Sequence, residues 1–440
     1  MRAIKASLKI LADVSGTGAF ASESIRRNAA GLSDRDLRLT TFLVNSVLRR
    51  KELWEYLLRH YLKTPFRKLE PVVKDTLLLG AAGIVDVSGL PDEVVVNALV
   101  QCIKEEGYSR ASRLVNAVLR RLSDSGRKIY IETSENTALK YQFLIHGVPL
   151  SLHKELSKGR SISELQGLLK CQRIKPYLSL RSENGSVIER TIEKLREKGF
   201  HCWKSDILSS SIRLASSAYP PSLPGYESGI ITPQSESSMM VGEVVSVLYR
   251  NGRILDMCAG RGIKTGQILK LLPRAMVEAW DISPGRLLSA EREFARLGVS
   301  ERVTIHHGDS LDMVPEGSPS MVLVDAPCSG SGTWPRHPES KWRLSLSRLM
   351  ELSALQRNLL EKACDIVAPG GIVVYSTCSL LREENENVIG RLLGNRTSIK
   401  EIPVPLDNPY IRKGVPYGIY TWPELPWLDG FFIAVVQKED

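Results

Sequence analysis

Residues 321–330 read Met-Val-Leu-Val-Asp-Ala-Pro-Cys-Ser-Gly, and residues 371–379 read Gly-Ile-Val-Val-Tyr-Ser-Thr-Cys-Ser. In each, an apolar run of strand length meets a polar turn that carries a cysteine. An unbroken apolar run is the pattern of a strand buried on both faces, as in a parallel sheet covered by helices. Cys328 and Cys378 then lie just past two strand ends, at the carboxyl edge where open α/β sheets bind ligands. Two thiols meeting at one such edge point to covalent chemistry rather than packing.

The same alternation extends in both directions. Arg253–Met257, Met276–Trp280, Arg302–His306 and Phe431–Val436 are further strand-like runs, with helical patterns between them. They predict a mostly parallel, doubly wound sheet over 233–440. The first of these runs ends in Cys258-Ala259-Gly260-Arg261-Gly262-Ile263-Lys264. Its spacing is neither G-x-G-x-x-G nor a P-loop, because Ile263 stands before Lys264 where a phosphate loop needs glycine. Asp281 follows the second run, placed to accept hydrogen bonds from ribose hydroxyls. Asp309 follows the third, placed near an adenine amino group. A glycine turn and two carboxylates on successive strand ends suit an adenosine-containing cofactor without a phosphate cradle, and S-adenosylmethionine fits. With no C-x-x-C pair, no metal is expected.

The chain is 440 residues long with net charge +10, which predicts more than one domain and an anionic partner. No stretch has the length and apolarity of a membrane span or signal peptide, so a cytoplasmic protein with reduced thiols and no membrane partner is expected. Residues 1–125 read as wholly helical. Leu39, Phe42, Leu43, Val47 and Leu48 recur at helical spacing after Ser33-Asp34, and Leu114, Val115, Val118, Leu119 and Leu122 form a later stripe. Arg26-Arg27, Arg49-Arg50 and Arg120-Arg121 read either as cations at helix C-termini or as one phosphate-binding face. Polar residues predict a linker over 126–140. Residues 141–232 read as a small α+β module, with a strand at Tyr177–Arg181 and a helix through Ile192 and Leu195.

Asp325-Ala326-Pro327-Cys328-Ser329-Gly330 and Ser376-Thr377-Cys378-Ser379 resemble the paired cysteine motifs of the RsmB (Sun/Fmu) family of ribosomal RNA cytosine-5 methyltransferases. Arg336-His337-Pro338-Glu339-Ser340-Lys341-Trp342-Arg343 resembles that family's basic loop, and Asp429-Gly430-Phe431-Phe432 its last strand. Leu32-Ser33-Asp34-Arg35-Asp36 through Arg49-Arg50 resembles its NusB-like RNA-binding domain. The resemblance implies an all-α NusB-like bundle at 1–125, an α+β RNA-positioning module at 141–232, and a Rossmann-like methyltransferase domain at 233–440.

The implied activity is methylation of carbon 5 of a cytosine in small-subunit (16S) ribosomal RNA, with S-adenosylmethionine as donor. Carbon 5 of cytosine is a poor nucleophile until a thiolate adds at carbon 6. By resemblance Cys378 is that thiolate, Cys328 helps release the product, and Asp325 hydrogen-bonds the base. The cofactor site carried over is Cys258, Ala259, Gly260, Arg261, Gly262, Ile263 and Lys264, with Asp281, Asp309 and Asp325. This turn departs from the family's usual Cys-Ala-Ala-Pro-Gly-Gly-Lys-Thr: Gly260, Arg261 and Ile263 replace Ala, Pro and Gly. That departure sustains one alternative, a non-catalytic NusB-like RNA-binding or antitermination factor with a degenerate methyltransferase domain. The reaction needs a base out of its stack. Arg336, His337, Lys341, Trp342 and Arg343 are therefore expected to stack on bases and contact phosphates. Ribosomal RNA is the expected partner, and no obligate protein partner is implied.

Overall fold

The computed structural model of the chain describes residues 1–182, 187–215 and 218–439. The fold divides into two compact units. The first comprises Met1–Ser157, Ser161–Arg173 and Trp334–Arg343; the second comprises Lys158–Arg160, Ile174–Thr333 and Leu344–Asp440.

The first unit is helical. Its elements are α1 (Arg2–Thr17), α2 (Ala21–Asn28), α3 (Asp34–Arg49), α4 (Lys51–Arg59), α5 (Pro71–Asp86), α6 (Asp92–Glu105), α7 (Ser109–Glu135), α8 (Leu139–His146), α9 (His153–Ser157) and α10 (Ile162–Cys171). Ser33 caps α3 by accepting the Asp36 N–H, and Pro71 opens α5 where no helical N–H is needed. α5 is apolar on nearly every face and runs through the core with Trp54, Leu57, Leu77, Ile84, Leu99 and Leu119.

Two expectations about organisation need correction. The linker expected at 126–140 is helical as far as Glu135, because α7 continues through the polar stretch. The polar residues are its wet face, while Ile129 and Tyr130 pack on the core. Arg127 locks this turn by donating to both carboxylate oxygens of Asp92, at 2.7 and 2.6 Å. Nor do residues 141–232 form one α+β module. Most of 141–173 is helical and belongs with the first unit, where the Leu150 N–H donates to Glu52 at 2.9 Å.

The second unit begins with a four-stranded antiparallel sheet of β1 (Leu178–Ser182), β2 (Cys202–Lys204), β3 (Ser211–Leu214) and β4 (Ile231–Pro233), in the order β2-β3-β1-β4. α11 (Ile188–Glu197) covers it, burying Ile192 and Leu195 against Leu180 and Ile212. Next come α12 (Glu236–Leu248), β5 (Arg253–Asp256), α13 (Ile263–Leu271), β6 (Met276–Asp281), α14 (Pro284–Leu297), β7 (Val303–His307) and β8 (Met321–Asp325). α15 (Leu346–Ile366), β9 (Ile372–Thr377), α16 (Glu386–Asn395), β10 (Ile399–Ile402), β11 (Ile411–Lys413), β12 (Ile419–Thr421) and β13 (Phe431–Lys438) complete it.

The larger sheet has nine strands in the order β11-β12-β13-β9-β8-β5-β6-β7, with β10 paired to β13. β5 through β9 are parallel, and β13 runs antiparallel to β9. From β5 the chain winds outward through β6 and β7, then returns to the other side of β5 for β8 and β9. The strand order therefore reverses between β5 and β8, the kind of switch point that opens a crevice at the carboxyl ends. The short strands β10, β11 and β12 escaped the sequence reading. Each has four residues or fewer and is partly exposed, so none shows a full apolar run.

Candidate active site

A cavity of about 470 Å³ opens at this switch point. Its walls include Cys258, Ala259, Gly260, Arg261, Ile263, Lys264, Asp281, Asp309, Asp325, Cys328 and Cys378. Gly262, expected to face a cofactor, does not line it. Gly262 has φ +75° and caps α13, and a Cβ there would come within 2.6 Å of the Phe294 ring. Its lack of a side chain serves the turn and the packing of α14 beneath it.

The carboxylates of the cavity are held by local backbone. Asp281, at the end of β6, accepts the Gly260 N–H at 2.9 Å and the Ser283 N–H at 2.8 Å. Arg286, from the first turn of α14, pairs with it at 3.2 Å. Asp309 is exposed, and one of its oxygens accepts the Leu311 N–H at 3.0 Å. Asp256 is 1% exposed and accepts from the Thr265 hydroxyl at 2.7 Å. Burial pushes the Asp256 carboxyl up to about 7, against the Thr265 bond that lowers it.

Lys264 reaches across the cavity to Asp325, Nζ to Oδ2 at 2.6 Å, and the Ser376 hydroxyl donates to the other oxygen at 2.8 Å. Burial alone would pull the Lys264 ammonium down. The charge and hydrogen bond of Asp325 outweigh that and leave it raised.

β8 and β9 are paired to their ends, with Asp325 opposite Ser376, so the loops that carry the two cysteines start from neighbouring strand ends. The sulfurs of Cys328 and Cys378 are 3.3 Å apart. The hydrogen bond to Cys378 is the first cause that pushes the Cys328 thiol well up; burial and the charges of Cys378 and Glu384 add to it. Cys328 therefore keeps its proton beside Cys378. Cys258 is also pushed well up, by burial and then by Asp256, Asp325 and Asp281, so it is a lining group rather than a nucleophile.

The basic loop is placed differently from expectation. Trp334–Arg343 clusters with the first, helical unit. Lys341 is 1% exposed and donates to the Arg49 carbonyl at 2.8 Å, and the Trp342 indole N–H donates to the Leu48 carbonyl. Arg343 donates to the Ala19 carbonyl at 2.8 Å. These three donors are engaged with backbone carbonyls of the first unit, which takes the buried Lys341 ammonium out of the phosphate-contacting role expected of it, while Arg343 remains exposed. Arg50 is also committed: it pairs with Asp86 and lies 4.6 Å over the Trp54 ring.

Sequence reasoning missed Arg286, Ser310 and Leu355 in the cavity wall. It also missed Glu384, whose buried carboxylate bonds to the loops of both cysteines. The acidic run Glu383-Glu384-Asn385-Glu386, close behind the second cysteine motif, was the available signal. Among the described residues no group of His, Cys, Asp and Glu is placed to hold a metal ion. None of their helices is long and apolar enough to cross a membrane.

A 3-2-1-4-5 parallel sheet, a glycine turn after its first strand and strand-end carboxylates define a Rossmann-like fold of the S-adenosylmethionine-dependent methyltransferase class. Residues 247–437 match the family model described as 16S rRNA methyltransferase RsmB/F, and residues 1–124 match the NusB family. The ribosomal RNA small subunit methyltransferase B of Klebsiella pneumoniae (strain 342) is 30% identical over 369 residues, 82% of each chain. That of Xanthomonas campestris pv. campestris is 28% identical over 438 residues, 98% of this chain and 96% of the relative. The chain belongs to the RsmB/F family of rRNA methyltransferases, with a NusB-family N-terminal region. Among solved structures, PH0851 superposes with a TM-score of 0.82 at 22% identity, covering 99% of this chain and 98% of that one. NSun6 from Pyrococcus horikoshii, solved with SFG, has a TM-score of 0.59 at 20% identity, covering 66% of this chain and 98% of that one. These two show the fold.

Proposed function

We propose that this protein methylates carbon 5 of a cytosine in small-subunit (16S) ribosomal RNA through a transient bond between Cys378 and the base. The observation that carries the reading is the pair of thiols 3.3 Å apart on adjacent strand ends beside a cavity lined by carboxylates. A methyltransferase acting on an exocyclic nitrogen or oxygen has no need of a second thiol there.

The cavity suits S-adenosylmethionine by its donor set. Asp281 and Asp309 offer acceptors for ribose and adenine groups, and Gly260 leaves the turn open beside them, the nearest atom to a Cβ built there being the Cys258 carbonyl oxygen at 3.9 Å. Of the lining cations, Lys264 and Arg286 are already paired with carboxylates, which argues against a phosphate-bearing cofactor. When bound, S-adenosylmethionine supplies an electrophilic methyl group.

The chain's own residues do the rest. The Cys378 thiolate adds to carbon 6 of the cytosine, and the electrons of the 5,6 double bond make carbon 5 nucleophilic. Asp325, held by Lys264 and Ser376, accepts a hydrogen bond from the exocyclic amine and orients the ring. After methylation a water molecule takes the carbon 5 proton, the freed electron pair re-forms the 5,6 double bond, and the carbon–sulfur bond breaks with its pair leaving on Cys378. Cys328 donates its S–H to the departing Cys378 thiolate, which speeds that step. The helical unit and the four-stranded sheet are proposed to position the RNA, and the cytoplasm, where that RNA is made, is the proposed location.

The test is to incubate the protein with unmodified 16S RNA and methyl-labelled S-adenosylmethionine, then digest to nucleosides. Label is expected in 5-methylcytidine. Label confined to any other nucleoside, or absent from all RNA offered, overturns the reading. In the same assay Cys378→Ala is expected to be inactive, and Cys328→Ala to accumulate a protein–RNA adduct visible on a denaturing gel.

A further inference from the structure

We propose that Glu384 is a positioning residue: its buried carboxylate ties the loop carrying Cys328 to the loop carrying Cys378 and so holds the two sulfurs together. The inference rests on the proposed covalent chemistry for its purpose, though not for its geometry.

Past Asp325 and Ser376 the ladder between β8 and β9 ends, with a last bridge from the Ala326 N–H to the Ser376 carbonyl at 2.9 Å. The cysteines lie beyond that bridge, on loops that regular pairing no longer aligns. Each is followed by a serine, and both serines bond to Glu384. The Ser329 N–H donates to Oε1 at 2.8 Å, and the Ser329 hydroxyl donates to Oε2 at 2.5 Å. The Ser379 hydroxyl donates to the same Oε2. From α15, Gln356 donates to Oε1 at 3.0 Å and to the Pro327 carbonyl at 2.8 Å, which fixes the residue before Cys328. Backbone adds one more tie, from the Gly332 N–H to the Cys378 carbonyl at 2.9 Å.

Glu384 is 0% exposed, and a buried carboxylate is tolerated where its oxygens are satisfied. These partners are neutral, so they orient the carboxylate without cancelling its charge. That charge helps keep the proton on Cys328, which the product-release step needs. Glu384 touches neither sulfur directly in this network; it acts through the serines next to them. The arrangement is a supporting shell that locks reacting groups in place.

The test reads thiol geometry independently of methyl transfer. Phenylarsine oxide bridges two thiols when their sulfurs are close, and peptide mapping identifies the bridged pair. The intact protein is expected to capture one arsenical across Cys328 and Cys378. Glu384→Ala is expected to slow capture by about tenfold and to lower kcat by on the order of a hundredfold, with S-adenosylmethionine affinity unchanged. Glu384→Gln, which keeps the shape but has one acceptor oxygen, is expected between the two. Folded Glu384→Ala that captures the arsenical at the wild-type rate overturns the proposal. If Glu384→Ala does not fold, Ser379→Ala and Gln356→Met decide: slowed capture supports the proposal, and wild-type capture in both overturns it. Wild-type protein that captures the arsenical but labels no RNA would sink the proposed function and leave the role of Glu384 standing.

Discussion

Each unit contains a largely enclosed lysine packed against an aromatic ring, and the two differ in fate. Lys264, in the catalytic unit, lies 5.3 Å from the Phe431 ring centre; Lys341, in the helical unit, lies 5.3 Å from the Trp342 ring centre. Lys341 is 1% exposed and the Lys264 side chain 13%, and both sit over an aromatic face. The difference is the third neighbour. Lys264 has the Asp325 carboxylate at 2.6 Å, which leaves its pKa raised. Lys341 has the Arg49 carbonyl at 2.8 Å, and burial, followed by the charges of Arg49 and Arg50, brings it down to about 7. Burial does not decide whether an ammonium stays charged; the nearest opposite charge does. One lysine is therefore equipped for electrostatics at a reacting site, and the other is a hydrogen-bond peg.

The comparison can be broken by the same substitution at both positions. Lys264→Met should lower kcat for methyl transfer on the order of a hundred- to a thousandfold, because Asp325 loses the cation that holds it in place. Its melting temperature should fall as well, since a partly buried carboxylate is left with Ser376 alone. Lys341→Met should change kcat little and stabilise the fold by on the order of 1 kcal/mol near neutral pH, the relief from desolvation exceeding the lost bond to Arg49. That gain corresponds to a rise of about 2–4 °C in melting temperature. If both variants shift in the same direction, the contrast is wrong.

pH sharpens it further. Lys341 is depressed from 10.5 to about 7 on folding, so the unfolded chain binds its proton across that window and the folded protein does not. Its contribution to stability is fully present above 10.5 and is lost as pH falls toward 7. The advantage of Lys341→Met, measured by thermal melts, should therefore be largest at pH 7 and below and shrink as pH rises toward 10. Asp256 gives an effect of similar size with the opposite trend. Its carboxyl is raised from 3.8 to about 7, so its contribution is fully present below 3.8 and lost as pH rises through 7. Asp256→Asn should melt with wild type at pH 4 and gain on it by roughly 3 °C by pH 8.

The contrast also marks what the sequence could and could not tell. Both lysines stand in plain view, each within a motif. The parallel strands were legible because burial on both faces writes an unbroken apolar run. The cysteines and strand-end aspartates were legible because those runs end at them. Whether Arg336–Arg343 faces solvent or a helix end is not written in its composition: Lys341, Trp342 and Arg343 would have the same identities on an RNA-binding loop. The polar stretch after Leu122 misled for a related reason, since the wet face of a long helix and a linker share a composition. Glu384 was hidden because its role depends on two serines that sit beside it after the strands pair. Gly262 was read as a ligand contact when the side chain it must avoid, Phe294, lies on another helix.

The membership of Trp334–Arg343 in the first unit has a consequence for synthesis. The helices from Arg2 to Cys171 leave the ribosome while this segment is still untranslated. Until it arrives, the carbonyls of Ala19, Leu48 and Arg49 must stay hydrated, and the site that will enclose Lys341 stays open. The amino-terminal bundle therefore reaches its final packing late, after four of the nine strands of the larger sheet have been made.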